Sequence, residues 1–277
     1  MRNNSIVNNF VRHLCLILIL LLVLMPFFWL IATSFKPMSE RLFTIPPRLI
    51  PLEPTTGNYR EAFSLLNMLR STMNSFIITL SAVALNLFFC SLTAYPLSRM
   101  NFPGRDIILY IILASFMIPV QAIIVPLFVL IQGQGLVDSY IGVFLPLGIT
   151  AFGIFLLRNA FLDVPGDLEE AGRVDGCSEF KIFYRIMLPL IKPSLAALAI
   201  LLFVTYWNEF LWPMIVLRSL EIQPLQVRLV NLSRGLFGAD WRVLSAAAVL
   251  VTLPAILFFF IFQRFFISGM MEGALKE

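Results

Sequence analysis

Six long apolar stretches divide the chain, over residues 14–33, 72–97, 107–131, 140–158, 194–217 and 243–265. Each is long enough to cross a hydrocarbon core of about 30 Å at roughly 1.5 Å per residue. Polar residues cluster between these runs instead of alternating within them. The pattern predicts an all-α, polytopic membrane protein with six transmembrane helices, and it excludes the short alternating strands of a membrane barrel. The first polar interval is rich in proline (TIPPRLIPLEPTTGNY), so an extended surface segment is expected there. YREAFSLLNMLRSTMNS then has the amphipathic pattern of a short interfacial helix ahead of the second run. The last long interval, RSLEIQPLQVRLVNLSRGLFGADWR, is mixed and would suit a partner's surface or the mouth of a pathway.

One interval differs from the others: EEAGRVDGCSEFKIFYRIMLPLIKPS, residues 169–194. Asp167 with Glu170 three residues later forms a capping-box pattern after Pro165-Gly166, which predicts a first short helix. Leu168, Ala171 and Gly172 share its apolar face, and the two small residues allow close backbone approach. Gly176 stands where a helix ends in positive φ. Ser178 would cap a second helix whose apolar residues Phe180, Phe183, Met187 and Leu190 recur every three or four positions. Pro189 and Pro193 turn the chain into the fifth run. The segment reads as a helix–turn–helix elbow. Acids in its first arm would be repelled by anionic lipid, so a cleft in another protein suits it better than a bed of headgroups.

Composition supports the membrane reading. The 277 residues are 59% hydrophobic and 13% charged, whereas soluble domains average about 25% charged. Mean hydropathy is +0.89, more apolar surface than a soluble core of this size can bury. The Lys and Arg distribution favours cytoplasmic N- and C-termini. The loop QGQGLVDS has none, SRMNFPGRD has Arg99 and Arg105, and the 158–193 segment has Arg158, Arg173, Lys181, Arg185 and Lys192. Arg2 and Arg12 before an apolar run could open a signal peptide. The length of that run and its bulky Phe27, Phe28 and Trp29 favour a retained helix. Three domain-level segments follow: 1–71, a helix and extracytoplasmic loop; 72–265, a transmembrane core containing the 158–193 loop; and 266–277, a cytoplasmic tail.

Candidate chemistry is sparse. Cys15, Cys90 and Cys177 are isolated, and His13 beside Arg12 reads as an interfacial residue, so neither a metal site nor a disulfide frame is supported. Asn74, Asn86, Ser81 and Thr79 in the second run are explained by interhelical hydrogen bonds. Prolines 26, 119, 126, 146, 213 and 254 interrupt the runs and tend to kink them. Glu209 is a carboxylate inside the fifth run, next to Asn208 and among Tyr206, Trp207 and Trp212. Pro213, four residues on, would leave the Glu209 carbonyl without its helical partner. Rings with an acid–amide pair can grip a sugar, and they can equally mark a membrane interface or a gate.

The elbow resembles the signature cytoplasmic loop of ABC importer permeases, whose pattern is E-A-A, three residues, Gly, nine residues, then I-x-L-P. Glu170-Ala171-Gly172, Gly176 and Ile186-Met187-Leu188-Pro189 match at that spacing, with Gly172 where alanine is usual. TSFKP, NSF, AYPLSRMNFPGR, WNEFLWP and the C-terminal run QRFF…G…EGALK are similar to the maltose-type carbohydrate branch, specifically the shorter six-helix partner of its permease pair. The family's tail more often reads G-x-x-x-G-A-V-K-G, where this chain has Met270-Met271-Glu272 before Gly273.

The resemblance implies a type I ABC importer permease fold in a bacterial cytoplasmic membrane. It implies a second homologous permease, two ATPase subunits and an extracytoplasmic solute-binding protein as partners, with no nucleic acid among them. It implies ATPase docking through Glu170, Ala171, Gly172, Gly176, Ile186, Leu188 and Pro189, and a solute pathway past Tyr206, Trp207, Asn208, Glu209 and Trp212. No cofactor is expected on this chain. It lacks G-x-x-x-x-G-K-[ST], so ATP and Mg are expected on the partner subunits. The implied solute is a sugar, glycoside osmolyte or glycerol-phosphate. An ABC permease for another solute, an ion-coupled carrier and an intramembrane enzyme are the rival readings. A carrier should show repeats and midplane ion sites, and an enzyme a nucleophile–base pair.

Overall fold

The computed structural model describes residues 2–42, 44, 48–234 and 240–274, with side chains from residue 11 to residue 261. Among these residues all regular structure is helical. The first apolar run lies in α1 (Arg2–Ser34). The amphipathic segment 59–75 is split, its first half in α2 (Gly57–Leu65) and its second in α3 (Met68–Arg99), with Asn67 in the left-handed region at φ 46° between them. The third run is two helices, α4 (Arg105–Ser115) and α5 (Val120–Gly133), bent by 102° just before Val120, with Pro119 at the N-cap. The fourth is likewise divided, into α6 (Tyr140–Phe144) and α7 (Ala151–Leu162), around Pro146.

The elbow follows as α8 (Asp167–Val174), α9 (Glu179–Ile182), a π-helical turn over Phe183–Met187 and α10 (Leu188–Leu190). The fifth run starts as α11 (Lys192–Asn208), breaks at Glu209 and Phe210, and resumes as α12 (Leu211–Val216). The last polar interval holds α13 (Leu225–Arg234), and α14 (Trp241–Ala274) carries the sixth run. Among the described residues only α1, α3 and α14 are continuous helices long and apolar enough to cross a membrane, so three of the six expected spans are interrupted. The side chains of the tail, 266–277, lie outside the described residues.

The chain folds as two compact units, residues 1–68 with 229–254 and residues 69–228 with 255–277. In the first, the described part of the proline-rich segment, 44 and 48–59, is pinned, while residues 45–47 lie outside the described residues. Asn58 donates from Nδ2 to the carbonyls of Ser34 (2.8 Å) and Lys36 (2.9 Å) as the chain leaves α1. Lys36, only 1% exposed, donates to the Arg48 carbonyl at 2.8 Å, lies 3.7 Å from Glu40 Oε1 and faces the Trp29 ring. Glu40 Oε2 accepts from the Leu52 amide at 3.0 Å, and Arg242 donates to the Glu40 carbonyl. These bonds satisfy backbone that proline keeps out of a helix.

In the second unit α3 is the element on which the broken helices are hung. Near its start Asn74 donates to the carbonyls of Glu221 (2.9 Å) and Gln223 (3.0 Å) and accepts from the Tyr140 phenol at 2.7 Å. Ser75 Oγ accepts from the Leu225 amide at 2.9 Å. Halfway along, Asn86 Nδ2 donates to the Leu147 carbonyl (3.1 Å) and to the Tyr206 phenol oxygen (3.1 Å), while Tyr206 itself donates to Leu147 O at 2.8 Å. One asparagine therefore joins α3, the break between α6 and α7, and α11. Thr150 caps α7 by accepting from the Gly153 amide at 3.1 Å. A Cβ on Gly153 would lie 2.8 Å from Cys90 Sγ and 2.9 Å from Asn86 Oδ1 and Thr150 Oγ1.

Gly153→Ala should therefore overpack the joint and lower stability by about 1–3 kcal/mol, whereas Gly133→Ala, with nothing within 4 Å of its Cβ, should not. Melting of the two purified variants in detergent compares them directly; equal Tm values would contradict this account of the joint.

Candidate functional site

The elbow is built almost as its spacing predicts, with one change at its start. α8 begins at Asp167 itself, with Gly166 as the N-cap and no side-chain cap, so the expected capping box does not form. The helix starts one residue too early for it. Asp167, Glu169 and Glu170 instead lie together in the first turn, where the helix dipole favours negative charge. The end is a Schellman motif: the Cys177 amide bonds the Gly172 carbonyl (2.9 Å), the Gly176 amide bonds that of Arg173 (3.0 Å), and Gly176 is at φ 73°. Ser178 then caps the second arm by accepting from the Lys181 amide. The π turn and Pro189, which brings no N–H, complete that arm, and it meets α11 at 74°.

The predicted docking residues divide by face. Glu170, Ala171, Gly176 and Pro189 are exposed, Ile186 and Leu188 are half-buried, and Gly172 is buried. A Cβ on Gly172 would sit 2.8 Å from Ile186 Cδ1 and 3.3 Å from Ile182 Cγ1, so the small residue serves contact between the two arms. Ile182, Phe183 and Met187 form the inner face, whereas Phe180 (71%) and Leu190 (46%), expected on the apolar side, are exposed.

Sequence reasoning missed the charged side chains that hold the elbow in place. Glu169 is 4% exposed, with Oε1 3.5 Å from Arg99 Nε at the end of α3 and Oε2 3.6 Å from Arg173 Nη2. Arg99 also donates through Nη2 to the carbonyls of Phe161 and Val164, closing the end of α7. Arg173 Nε meets Glu179 Oε1 at 2.7 Å, and the Tyr95 phenol donates to Glu179 Oε2 at 3.3 Å. The Tyr95 ring packs on Phe161 (5.5 Å) and Phe183 (5.2 Å). Burial raises the Glu169 pKa against the pull of Arg99 and Arg173, while the Arg173 hydrogen bond lowers that of Glu179. The available signal was the i,i+4 spacing of Glu169 and Arg173; nothing local pointed to Arg99.

The second candidate site is the break in the fifth run. The helix stops at Glu209 itself, which is extended (ψ 126°), four residues ahead of Pro213. Glu209 Oε1 accepts from the Trp212 amide at 3.1 Å, capping α12 with a carboxylate. Tyr206, Trp207 and Trp212 point into the protein. Trp212 Nε1 donates to the Val143 carbonyl at 3.2 Å, and Trp207 stacks on Phe203 and meets Phe76 edge-on. The Trp207 indole N–H has no acceptor among the described residues. The cavity beside them, lined by Ser75, Thr79, Tyr206, Trp207 and Glu209, offers about 10 Å³, room for about one water and not for a sugar ring. Asn208 is exposed and Glu209 half-buried. Asn208 donates to the Val204 carbonyl at 2.8 Å and accepts from Gln226 at 3.4 Å.

Residues 87–272 match the family model described as "binding-protein-dependent transport system inner membrane component". The chain is 39% identical over 262 residues to the arabinooligosaccharides transport system permease protein AraQ of Bacillus subtilis (strain 168), covering 92% of each. It is 31% identical over 277 residues to the sn-glycerol-3-phosphate transport system permease protein UgpE of Brucella abortus (strain 2308), covering 96% of this chain and 97% of that one. A solved bacterial ABC transporter involved in import of the acidic polysaccharide alginate contains a chain that superposes with TM-score 0.80 at 26% identity, over 95% of this chain and 98% of that one.

If the outer face of the elbow enters a partner, Gly176→Arg should leave the protein folded in the membrane and abolish co-purification of that partner. Gly176→Ala is the control: it shares the strain of φ 73°, about 1–2 kcal/mol, and meets nothing within 4 Å. Equal recovery of partner with both variants would contradict the assignment of this face.

Proposed function

The chain belongs to the family of binding-protein-dependent transport system inner membrane components, and from that premise we propose that it is a transmembrane permease subunit of an ATP-driven importer for a sugar or sugar-like solute. Permease subunits of this kind are transport components, and on this reading ATP and Mg bind two partner ATPase subunits. A second homologous permease completes the membrane pathway, and an extracytoplasmic binding protein delivers the solute. The membrane is the bacterial cytoplasmic membrane, with both termini on the cytoplasmic side. Residues 1–71 are the leading helix and outer loop, 72–265 the translocating core and 266–277 the tail. An oligosaccharide, a glycoside osmolyte or a glycerol-phosphate fits the proposal. AraQ and UgpE are named for arabinooligosaccharides and sn-glycerol-3-phosphate, both polyhydroxylated.

The observation that carries the reading is the elbow: two short arms around a Schellman turn, with Glu170, Ala171 and Gly176 presented outward. Such a knob fits a groove on an ATPase, and Ile186, Leu188 and Pro189 carry its displacement into α11. ATPase states with different affinity for the knob are what allow hydrolysis to drive the membrane helices. At the other site, Asn208 and Glu209 are the groups within reach of a solute. Tyr206, Trp207 and Trp212 frame the gate that α12 forms, and Glu209 exchanges its bond to the Trp212 amide for one to a hydroxyl as the gate opens.

The test is reconstitution with the ATPases, the second permease and the binding protein, in which sugar-loaded binding protein should stimulate ATP hydrolysis. In that system Glu209→Ala should cut uptake by about tenfold or more, as expected when a site built to hydrogen-bond a hydroxyl loses its partner, with assembly intact. Unchanged transport kinetics would confine Glu209 to capping α12.

A further inference from the structure

Beyond the packing of Phe183 on Tyr95 and Phe161, the elbow is joined to the membrane helices in two ways. It continues covalently into α11, and it is held by charge to the end of α3. The second connection is unusual in its placement. Glu169 faces away from the proposed docking surface, almost wholly buried, and meets Arg99, whose other guanidinium nitrogen closes the end of α7. Tyr95, one turn earlier on α3, reaches Glu179 on the second arm. Both arms are therefore tied to one helix. That helix is a single continuous rod of 32 residues. It carries Asn86 at the joint with α7 and α11, and Asn74 at the segment following α12.

We propose that Arg99 and Glu169 form a latch through which movement of the elbow is delivered to α3, and through α3 to the broken helices at the pathway. The proposal rests on the elbow being the ATPase-docking element. Glu169 and Arg99 are positioning residues: they touch neither solute nor nucleotide. Glu170, next in sequence, faces outward and serves docking, so the paired acids divide the work between the partner and the rod. The Glu169 carboxylate lies between two guanidiniums, 3.5 Å from that of Arg99 and 3.6 Å from that of Arg173.

The latch is also sensitive to acid. The charged and titratable groups around Glu169 are Arg99 on α3, Arg173 on its own helix, Glu179 on the second arm and Tyr95. Burial is the largest influence and raises the Glu169 pKa. On acidification Glu169 therefore takes up its proton, and releases Arg99, above the usual carboxylate range. For stability the sign is the reverse: a raised carboxyl pKa favours the fold below that range, and the advantage is lost as pH rises through the folded value. Replacing Glu169 by Gln consequently should not unfold the elbow, and Arg99 keeps its two carbonyl acceptors.

The experiment uses the reconstituted complex and reads three quantities for wild type and Glu169→Gln: ATPase co-purified, ATP hydrolysed, and solute taken up per ATP. In Glu169→Gln, co-purification and hydrolysis should stay at wild-type level, while uptake per ATP should fall by at least about fivefold, the lower end of ordinary coupling between sites. The wild-type ratio should also decline on acidification before an exposed carboxylate would titrate, and the Glu169→Gln ratio should lack that decline. Unchanged uptake per ATP in Glu169→Gln, or a wild-type ratio flat across that range, overturns the latch and leaves docking standing. Failure of the wild-type chain to bring down any ATPase overturns the docking reading instead.

Discussion

Backbone interrupted inside hydrocarbon has no water to turn to, and this one constraint organises the transporter core. Every N–H and C=O released by a broken helix must be met by another group of the protein. The Leu147 carbonyl, freed between α6 and α7, receives Asn86 and Tyr206. The amide of Trp212, at the start of α12, donates to the Glu209 carboxylate. Beyond the apolar runs, the carbonyls of Phe161 and Val164, where α7 ends, are met in the same way by Arg99. Polar side chains in the runs thus serve the breaks. The long helix α3 supplies Asn86 and Arg99, two of these four side chains.

That division explains what was legible in the sequence. Apolar length located all six helical runs, because lipid as solvent leaves its mark on every residue of a span. It could not say which runs are broken. Prolines 119 and 146 lie at interruptions, yet Pro26, Pro126 and Pro254 sit inside continuous helices, so proline alone does not decide. The outcome depends on whether a distant side chain satisfies the freed group, as Asn86 does across 61 residues of chain. Bonds between helices are present for Asn74, with Tyr140 of α6, and for Asn86, with Tyr206 of α11. At the fifth run the composition was legible and the direction was not: three aromatics that suggested a sugar platform are turned into the protein.

The elbow was legible in finer detail because its signals are local. A glycine at positive φ, a serine cap and closely spaced small residues need only their neighbours to take effect. Where prediction failed, a long-range group intervened. Glu169 reads as one more acid of an exposed helix until Arg99, from the far side of two apolar runs, lies against it. The same physics gives the segment two faces with different work. Gly172, Ile182, Phe183 and Met187 hold the arms together, and Glu170, Ala171 and Gly176 are left free to meet a partner.

On the proposed function, the outer face of the elbow, and not the inner one, receives the ATPase. Single cysteines introduced into a chain lacking Cys15, Cys90 and Cys177 test it most directly, by cross-linking to the ATPase subunits in membranes. Ala171→Cys, on the exposed face, should form a cross-linked product whose yield changes with nucleotide, while Ile182→Cys, fully buried, should form none. Cross-linking at Ile182 with none at Ala171 would contradict the account.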